Sequence, residues 1–217
     1  FYDLLIAIGK QAPALGTSLL HWMVRRFDPG PDGHWTFAVD DTPTQRYGRD
    51  VEGANIHHDP TPGPAGGSWL YGHNWVCVAL LMTHPLWGVL ALPVLSMLYV
   101  RKCDVPLLDA TYGWKFRTKH ELALELIQRV MGYLRAAGSR AGFVVVMDGA
   151  YATGPLLRPL LADGATVISD QYELLAFGAK IQRRRGSAPV EGLTVTEPIE
   201  GGVPMVWSAA QLGGTRH

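Results

Sequence analysis

The chain has 217 residues, 47% of them hydrophobic, with 19 basic and 19 acidic side chains and a formal net charge of zero. That length and apolar content exclude a disordered or tail-like sequence and suffice for one domain with a substantial core and an appendage. The balanced charge gives no global support for nucleic-acid binding, so any such contact would fall to a local patch.

The chain begins at Phe1 and ends in GGTRH, which reads as a fragment or a processed product. Tyr2–Ile8 and Pro13–Phe27 are predicted helical, and Leu4–Ile8 lacks the basic leader of a signal segment. The second helix carries Leu15, Leu19, Trp22 and Met23, with Arg25 and Arg26 near its end, where cations suit the helix dipole. DPGPDG (Asp28–Gly33) breaks it. A short apolar run, Trp35–Val39, then reads as a buried strand that ends in Asp40 and Asp41, followed by TPTQRYG, the composition of a loop leaving a sheet. Arg49–Gly72 holds three prolines and five glycines and is predicted to be one long loop.

Trp75–Val100 is the most apolar stretch and is long enough to span a membrane. His84, two prolines and the turn-like THPLWG argue instead for a hairpin of strands near Asn74–Met82 and Val89–Val100. Cys77 and Cys103 lie in or beside apolar runs without a CxxC spacing and are expected to be buried thiols of a cytosolic protein. Thr118–Arg135 is the clearest helix: Thr118 and Glu121 form a TxxE capping box, Leu122, Leu126, Ile127, Val130, Met131 and Leu134 make one stripe, and Gly138 ends it. Phe143–Met147 is a wholly apolar strand ending in Asp148 and a glycine turn. A short helix, Pro155–Asp163, and a further buried strand, Ala165–Ser169, complete the pattern. A hairpin beside strands joined by crossover helices implies a mixed α/β sheet.

Two buried strands thus end in aspartate, Asp40 (with Asp41) and Asp148. Ligands of open α/β sheets bind at the carboxyl ends of strands. Two carboxylates brought together there repel unless a cation lies between them, and hard oxygen donors suit Mg²⁺ or Mn²⁺. Such an ion would activate water and stabilise the leaving oxygen in phosphodiester cleavage. An aspartate after a strand also commonly makes an Asx turn or caps a helix, so neither residue alone identifies a site. His57, His58, Asp59 and His73 fit no helical zinc spacing and lie in proline-rich sequence. Tyr151 reads as a packing residue.

The strings DDTPTQRYGRDVEGANIHHDPTPGP, YGHNWVCVALL and VVVMDGAYA resemble the catalytic region of DDE transposases of bacterial insertion sequences, over about Trp35–Ser169. The resemblance implies an α/β, ribonuclease-H-like mixed sheet flanked by helices and preceded by a short helical segment. Residues 1–33 would be that segment, 34–177 the catalytic core, and 178–217 a basic linker and the start of a further part. In that family the first acidic ligand ends the first strand and the second ends the fourth, positions similar to Asp40 and Asp148, with Asp41 as the alternative to Asp40. The implied activity is metal-dependent DNA strand cleavage and strand transfer with Mg²⁺ or Mn²⁺, on element ends and target DNA. The implied protein acts as a homo-oligomer on DNA, is cytoplasmic and nucleoid-associated, and has no membrane association.

Arg46 and Arg49, just past the first aspartate, would meet phosphates. Arg183, Arg184 and Arg185, with Lys180, form the one basic run and would touch the DNA backbone, although solvated loop arginines are common. The third family carboxylate, a glutamate on a late helix, has no match: Glu173 follows the last strand too soon, and Glu191, Glu197 and Glu200 sit in Gly/Pro-broken sequence. Its expected place is beyond His217. Two other readings stay open, an inactive or truncated remnant and a different two-aspartate metal-dependent phosphoesterase.

Overall fold

The computed structural model describes residues 11–29, 33–48, 50–58 and 68–169, together with the backbone of 173–174, 176–177 and 180–181. The predicted helix at Tyr2–Ile8 lies outside the described residues.

Helix α1 (Ala12–Arg26) leads into strands β1 (His34–Gln45), β2 (Asn55–His58), β3 (Trp69–His84) and β4 (Gly88–Tyr99). Helices α2 (Val105–Tyr112) and α3 (Lys119–Ala136), strand β5 (Gly142–Met147), helix α4 (Gly154–Ala162), strand β6 (Thr166–Ser169) and the two-residue β7 (Glu173–Leu174) follow. One sheet runs β2-β3-β1-β5-β6-β7, and β4 pairs with β3 on the edge that β2 also uses. β1 is antiparallel to β3 and parallel to β5, which is parallel to β6. This is the expected mixed α/β sheet, and its strand order is ribonuclease-H-like.

Alternation along the strands puts one face of the sheet under the helices. Phe37 and Val39 of β1, Val76, Val78 and Leu80 of β3, and Val145 and Met147 of β5 point into a single core. From the helices the same core takes Leu122, Leu126, Ile127, Val130, Met131 and Leu134 of α3 and Leu156 and Leu160 of α4. The α3 stripe is the predicted one, and its start is pinned by a complete capping box: Thr118 Oγ1 accepts the Glu121 N–H (3.2 Å), while Glu121 Oε2 accepts the Thr118 N–H (2.7 Å). Thr118→Ala is expected to lower stability by about 1 kcal/mol, measured by urea unfolding at an unchanged m-value.

Several expectations need correcting. β1 does not end at the aspartates; it continues as a strand to Gln45, paired with β3 as far as Gln45↔Gly72. The segment TPTQ looked like a loop because it holds Pro43. β5 stops at Met147, so beyond Asp40 the strand is paired on one side only, where a proline is tolerated. Arg49–Gly72 is not one loop: β2 and the start of β3 lie within it, pairing Asn55↔Gly72 through His58↔Trp69. Helix α2 was not anticipated, although Pro106 in its first turn and Gly113 at φ 65° after its end are ordinary boundary signals. Helix α1 buries Leu20 and Met23 and leaves Leu15, Leu19 and Trp22 exposed. A Cβ on Gly16 would lie 2.6 Å from the Leu95 side chain, so the Gly16–Leu20–Met23 face is the one that packs. Cys103 is exposed rather than buried, in the turn before α2, and Cys77 is half-buried. The hairpin expectation holds, and among the described residues no helix is long and apolar enough to cross a membrane.

Candidate active site

The β1–β5 ladder ends at Val39↔Met147, and the next residue on each strand is an aspartate. Val39 and Met147 are buried against the helices, so alternation turns Asp40 and Asp148 to the opposite face. Parallel neighbours lie about 4.8 Å apart, which places the two carboxylates side by side at the carboxyl edge of the sheet. Asp41 falls on the helix side, opposite the buried Val76 of β3.

Each carboxylate has one oxygen held by the backbone. Asp40 Oδ1 accepts the N–H of Asp41 (2.7 Å). Asp148 Oδ1 accepts the N–H groups of Ala150 (2.9 Å) and Tyr151 (3.2 Å), an Asx turn built by the Asp-Gly-Ala-Tyr sequence. The Asp40 carboxyl is held above the usual carboxylate range, first by desolvation and further by the negative charges of Asp148 and Asp41, against the backbone hydrogen bond and Lys119. Asp40 as a residue is exposed, and Cys77 is its cross-strand partner on β3.

A carboxyl whose pKa is raised on folding binds its proton more tightly in the folded state, so its contribution to stability falls as pH rises through that raised value. Without a divalent cation, Asp40→Asn is therefore expected to raise the melting temperature at neutral pH. The gain should be at most about 1 kcal/mol because the site is screened by solvent. An unchanged or lower Tm in EDTA would contradict this.

Asp41 is engaged elsewhere. Lys119 forms an ion pair with its Oδ2 and the Tyr151 hydroxyl donates to its Oδ1. Burial, then the bond to Asp41, pushes the Tyr151 hydroxyl far above the ordinary phenol range, so it remains a donor. Tyr151 does pack, as expected, and is almost wholly buried. Cys77 faces Asp40 across the ladder, with its thiol pushed up by burial, so it stays protonated beside the carboxylates.

The arginines are placed apart from this pair. Arg46 lies six residues beyond Asp40, about 20 Å along an extended strand. Its Nε donates to His73 Nδ1 (3.2 Å). His73 Nε2 donates in turn to the Glu52 carbonyl (2.8 Å), leaving no free ring nitrogen for a metal. His57 is buried, which lowers its pKa and keeps the ring neutral. Arg49, Asp59, Arg183, Arg184 and Arg185 lie outside the described residues, as do Glu191, Glu197 and Glu200. Glu173 sits in β7, paired with Ile168, and not on a helix.

Lys119 and His120 escaped the sequence reading. One signal was available: the capping box makes Lys119 the first helical residue, where a cation opposes the helix dipole. A residue placed against that preference needs a compensating partner, here Asp41.

Among the described residues no group of three or more His, Cys, Asp or Glu side chains is arranged so that it could hold a metal ion. The donor set is two carboxylates on one exposed face, each with its second oxygen outside the backbone hydrogen bonds above. It is chemically suited to a hard divalent cation completed by water and other ligands.

The fold is a ribonuclease-H-like sheet with one aspartate just past the last β1–β5 pair on each of these two parallel strands. The chain belongs to the DDE superfamily endonucleases, whose family pattern it matches over residues 10–171. Domains of this family generally use divalent metals, and their endonuclease activity implies DNA as substrate. No curated protein and no solved structure matches the chain.

Proposed function

We propose that this chain is the catalytic domain of a DNA transposase of the bacterial insertion-sequence type, with Asp40 and Asp148 as ligands of Mg²⁺ or Mn²⁺. The observation that carries the reading is the placement of the two aspartates one residue past the Val39↔Met147 pair, on the same exposed face. A bound divalent cation supplies Lewis acidity toward a phosphodiester and acidifies an attacking water.

The residues prepare that chemistry in three ways. Asp40 and Asp148 bring fixed negative charge to one point of the sheet edge. The backbone N–H groups on Asp40 Oδ1 and Asp148 Oδ1 restrict how each carboxylate can turn and leave the other oxygen outside these bonds. Beyond Asp40, β1 runs on to Gln45 without a β5 partner, and DNA would approach on the exposed face that carries the two aspartates. Arg46 and Arg49 would meet backbone phosphates. Cleavage at an element end would free a 3′-hydroxyl, and its attack on target DNA would complete strand transfer, performed by a homo-oligomer on paired ends at the nucleoid.

The test is nicking of labelled element-end DNA by the purified protein in Mn²⁺ and in EDTA. Nicking in Mn²⁺ alone, lost in Asp148→Ala, is the expected result. Cleavage indifferent to Asp148→Ala overturns the assignment, and DNA binding without any nicking favours the inactive-remnant reading.

A further inference from the structure

The backbone ladder that would tie Asp40 to Asp148 stops one residue short of both, at Val39 and Met147. Something other than strand pairing has to set their spacing. On the helix side of the sheet, a connected set of side chains spans this gap, and the cleavage chemistry above makes no use of it.

Tyr151 touches both carboxylate-bearing segments at once. Its backbone N–H donates to Asp148 Oδ1 (3.2 Å), and its hydroxyl donates to Asp41 Oδ1, next in the chain to Asp40. The other Asp41 oxygen is paired with Lys119, whose ammonium lies 5.4 Å from the centre of the Tyr99 ring on β4. A second tie runs from the same helical turn: His120 Nε2 donates to the Ala150 carbonyl (3.0 Å), and its ring lies 5.6 Å from that of Tyr151. The complete capping box at Thr118 fixes where Lys119 and His120 begin the helix. Side chains of adjacent strand residues point to opposite faces, so immobilising Asp41 from below also fixes the backbone direction from which Asp40 projects above.

We propose that Asp41, Lys119 and Tyr151 are positioning residues, a clamp joining β1, just past its last pair with β5, to the Asp148 turn and thereby setting the separation of Asp40 and Asp148. Asp41 then acts through its neighbours and is not itself a ligand. The inference rests on the reading of Asp40 and Asp148 as a cation-binding pair.

The experiment measures Mn²⁺ affinity of the full chain by electron paramagnetic resonance of the free ion, alongside hydrogen exchange without metal. Tyr151→Phe keeps the ring and removes a neutral hydroxyl, so it changes no charge. It is expected to weaken Mn²⁺ binding about tenfold, the usual scale for partners that orient ligands, and to speed exchange at residues 40–42 and 149–152. Lys119→Met gives a second, independent arm. Removing a positive charge near a cation site should tighten binding by Coulomb's law alone. The clamp instead requires weaker binding, substantially restored in Lys119→Arg.

Wild-type affinity in Tyr151→Phe, tighter binding in Lys119→Met, or unchanged exchange in both segments overturns the clamp. If Asp40→Asn and Asp148→Asn abolish binding while Tyr151→Phe leaves it intact, the clamp alone fails. If wild-type Mn²⁺ binding is indifferent to both aspartates, the cation reading fails and takes the clamp's role with it.

Discussion

Asp148→Ala is expected to reduce metal-dependent nicking at least about a thousandfold, and Asp40→Ala by a similar factor. A cation contributes several kcal/mol of charge stabilisation in phosphoryl transfer. At 1.36 kcal/mol per factor of ten, losing about 4 kcal/mol of it corresponds to roughly a thousandfold. The double variant should be scarcely worse than either single one, because two carboxylates that share a cation would act as a unit and their effects would not add. Asp148→Asn is the control for structure. Asparagine keeps an oxygen to accept the Ala150 and Tyr151 N–H groups, so the turn should survive while the charge is lost. Activity should fall as in Asp148→Ala, with a melting temperature close to wild type. Near-wild-type nicking in Asp148→Asn would contradict the ligand role.

The second large effect is on stability and concerns a pair of glycines that look alike in sequence. At Gly72 three strands meet: it pairs with Gln45 of β1 and Asn55 of β2. A Cβ there would lie 2.1 Å from the backbone oxygen of Thr44 and 2.9 Å from its carbonyl carbon. Backbone cannot swing aside as a side chain can, so Gly72→Ala should push β1 away from β3 and cost about 3 kcal/mol, toward the upper end for overpacking. At Gly142 the three atoms nearest to a Cβ all belong to the ring of His34, the first at 2.2 Å. His34 is exposed at the strand's start and can rotate out of the way, so Gly142→Ala should cost well under 1 kcal/mol, an ordinary surface value. Urea unfolding of the two variants checks the contrast. Equal losses would mean that the close approach of β1 to β3 at Gly72 is not what that glycine serves.

Much of the fold was legible wherever the local signal matched the tertiary environment. Helix α3 carries its capping box and its apolar stripe in consecutive sequence, and the structure uses both. The β3–β4 hairpin was readable because THPLWG interrupts an otherwise continuous apolar run, and the strands do turn there. The extension of β1 through Pro43 was not readable. Whether a proline ends a strand depends on which of its edges is paired, and that depends on where β5, a hundred residues away, happens to stop. Likewise, the face that α1 buries was decided by Gly16 against Leu95 of β4, a contact between distant segments that periodicity cannot distinguish from the Leu15–Leu19–Trp22 face.

The candidate site divides along the same line. The sequence by itself determined that two apolar runs, Trp35–Val39 and Phe143–Met147, end in aspartate, because a strand signal and the residue after it are local facts. Its strings also placed the chain beside the DDE enzymes. Only the tertiary structure decided that these runs are parallel neighbours in register, so that Asp40 and Asp148 share the open face while Asp41 turns to the helix side and meets Lys119 and Tyr151. The physical reason is the two-residue period of a strand. It gives adjacent carboxylates opposite faces, but which face lies under the helices is settled only when the sheet packs.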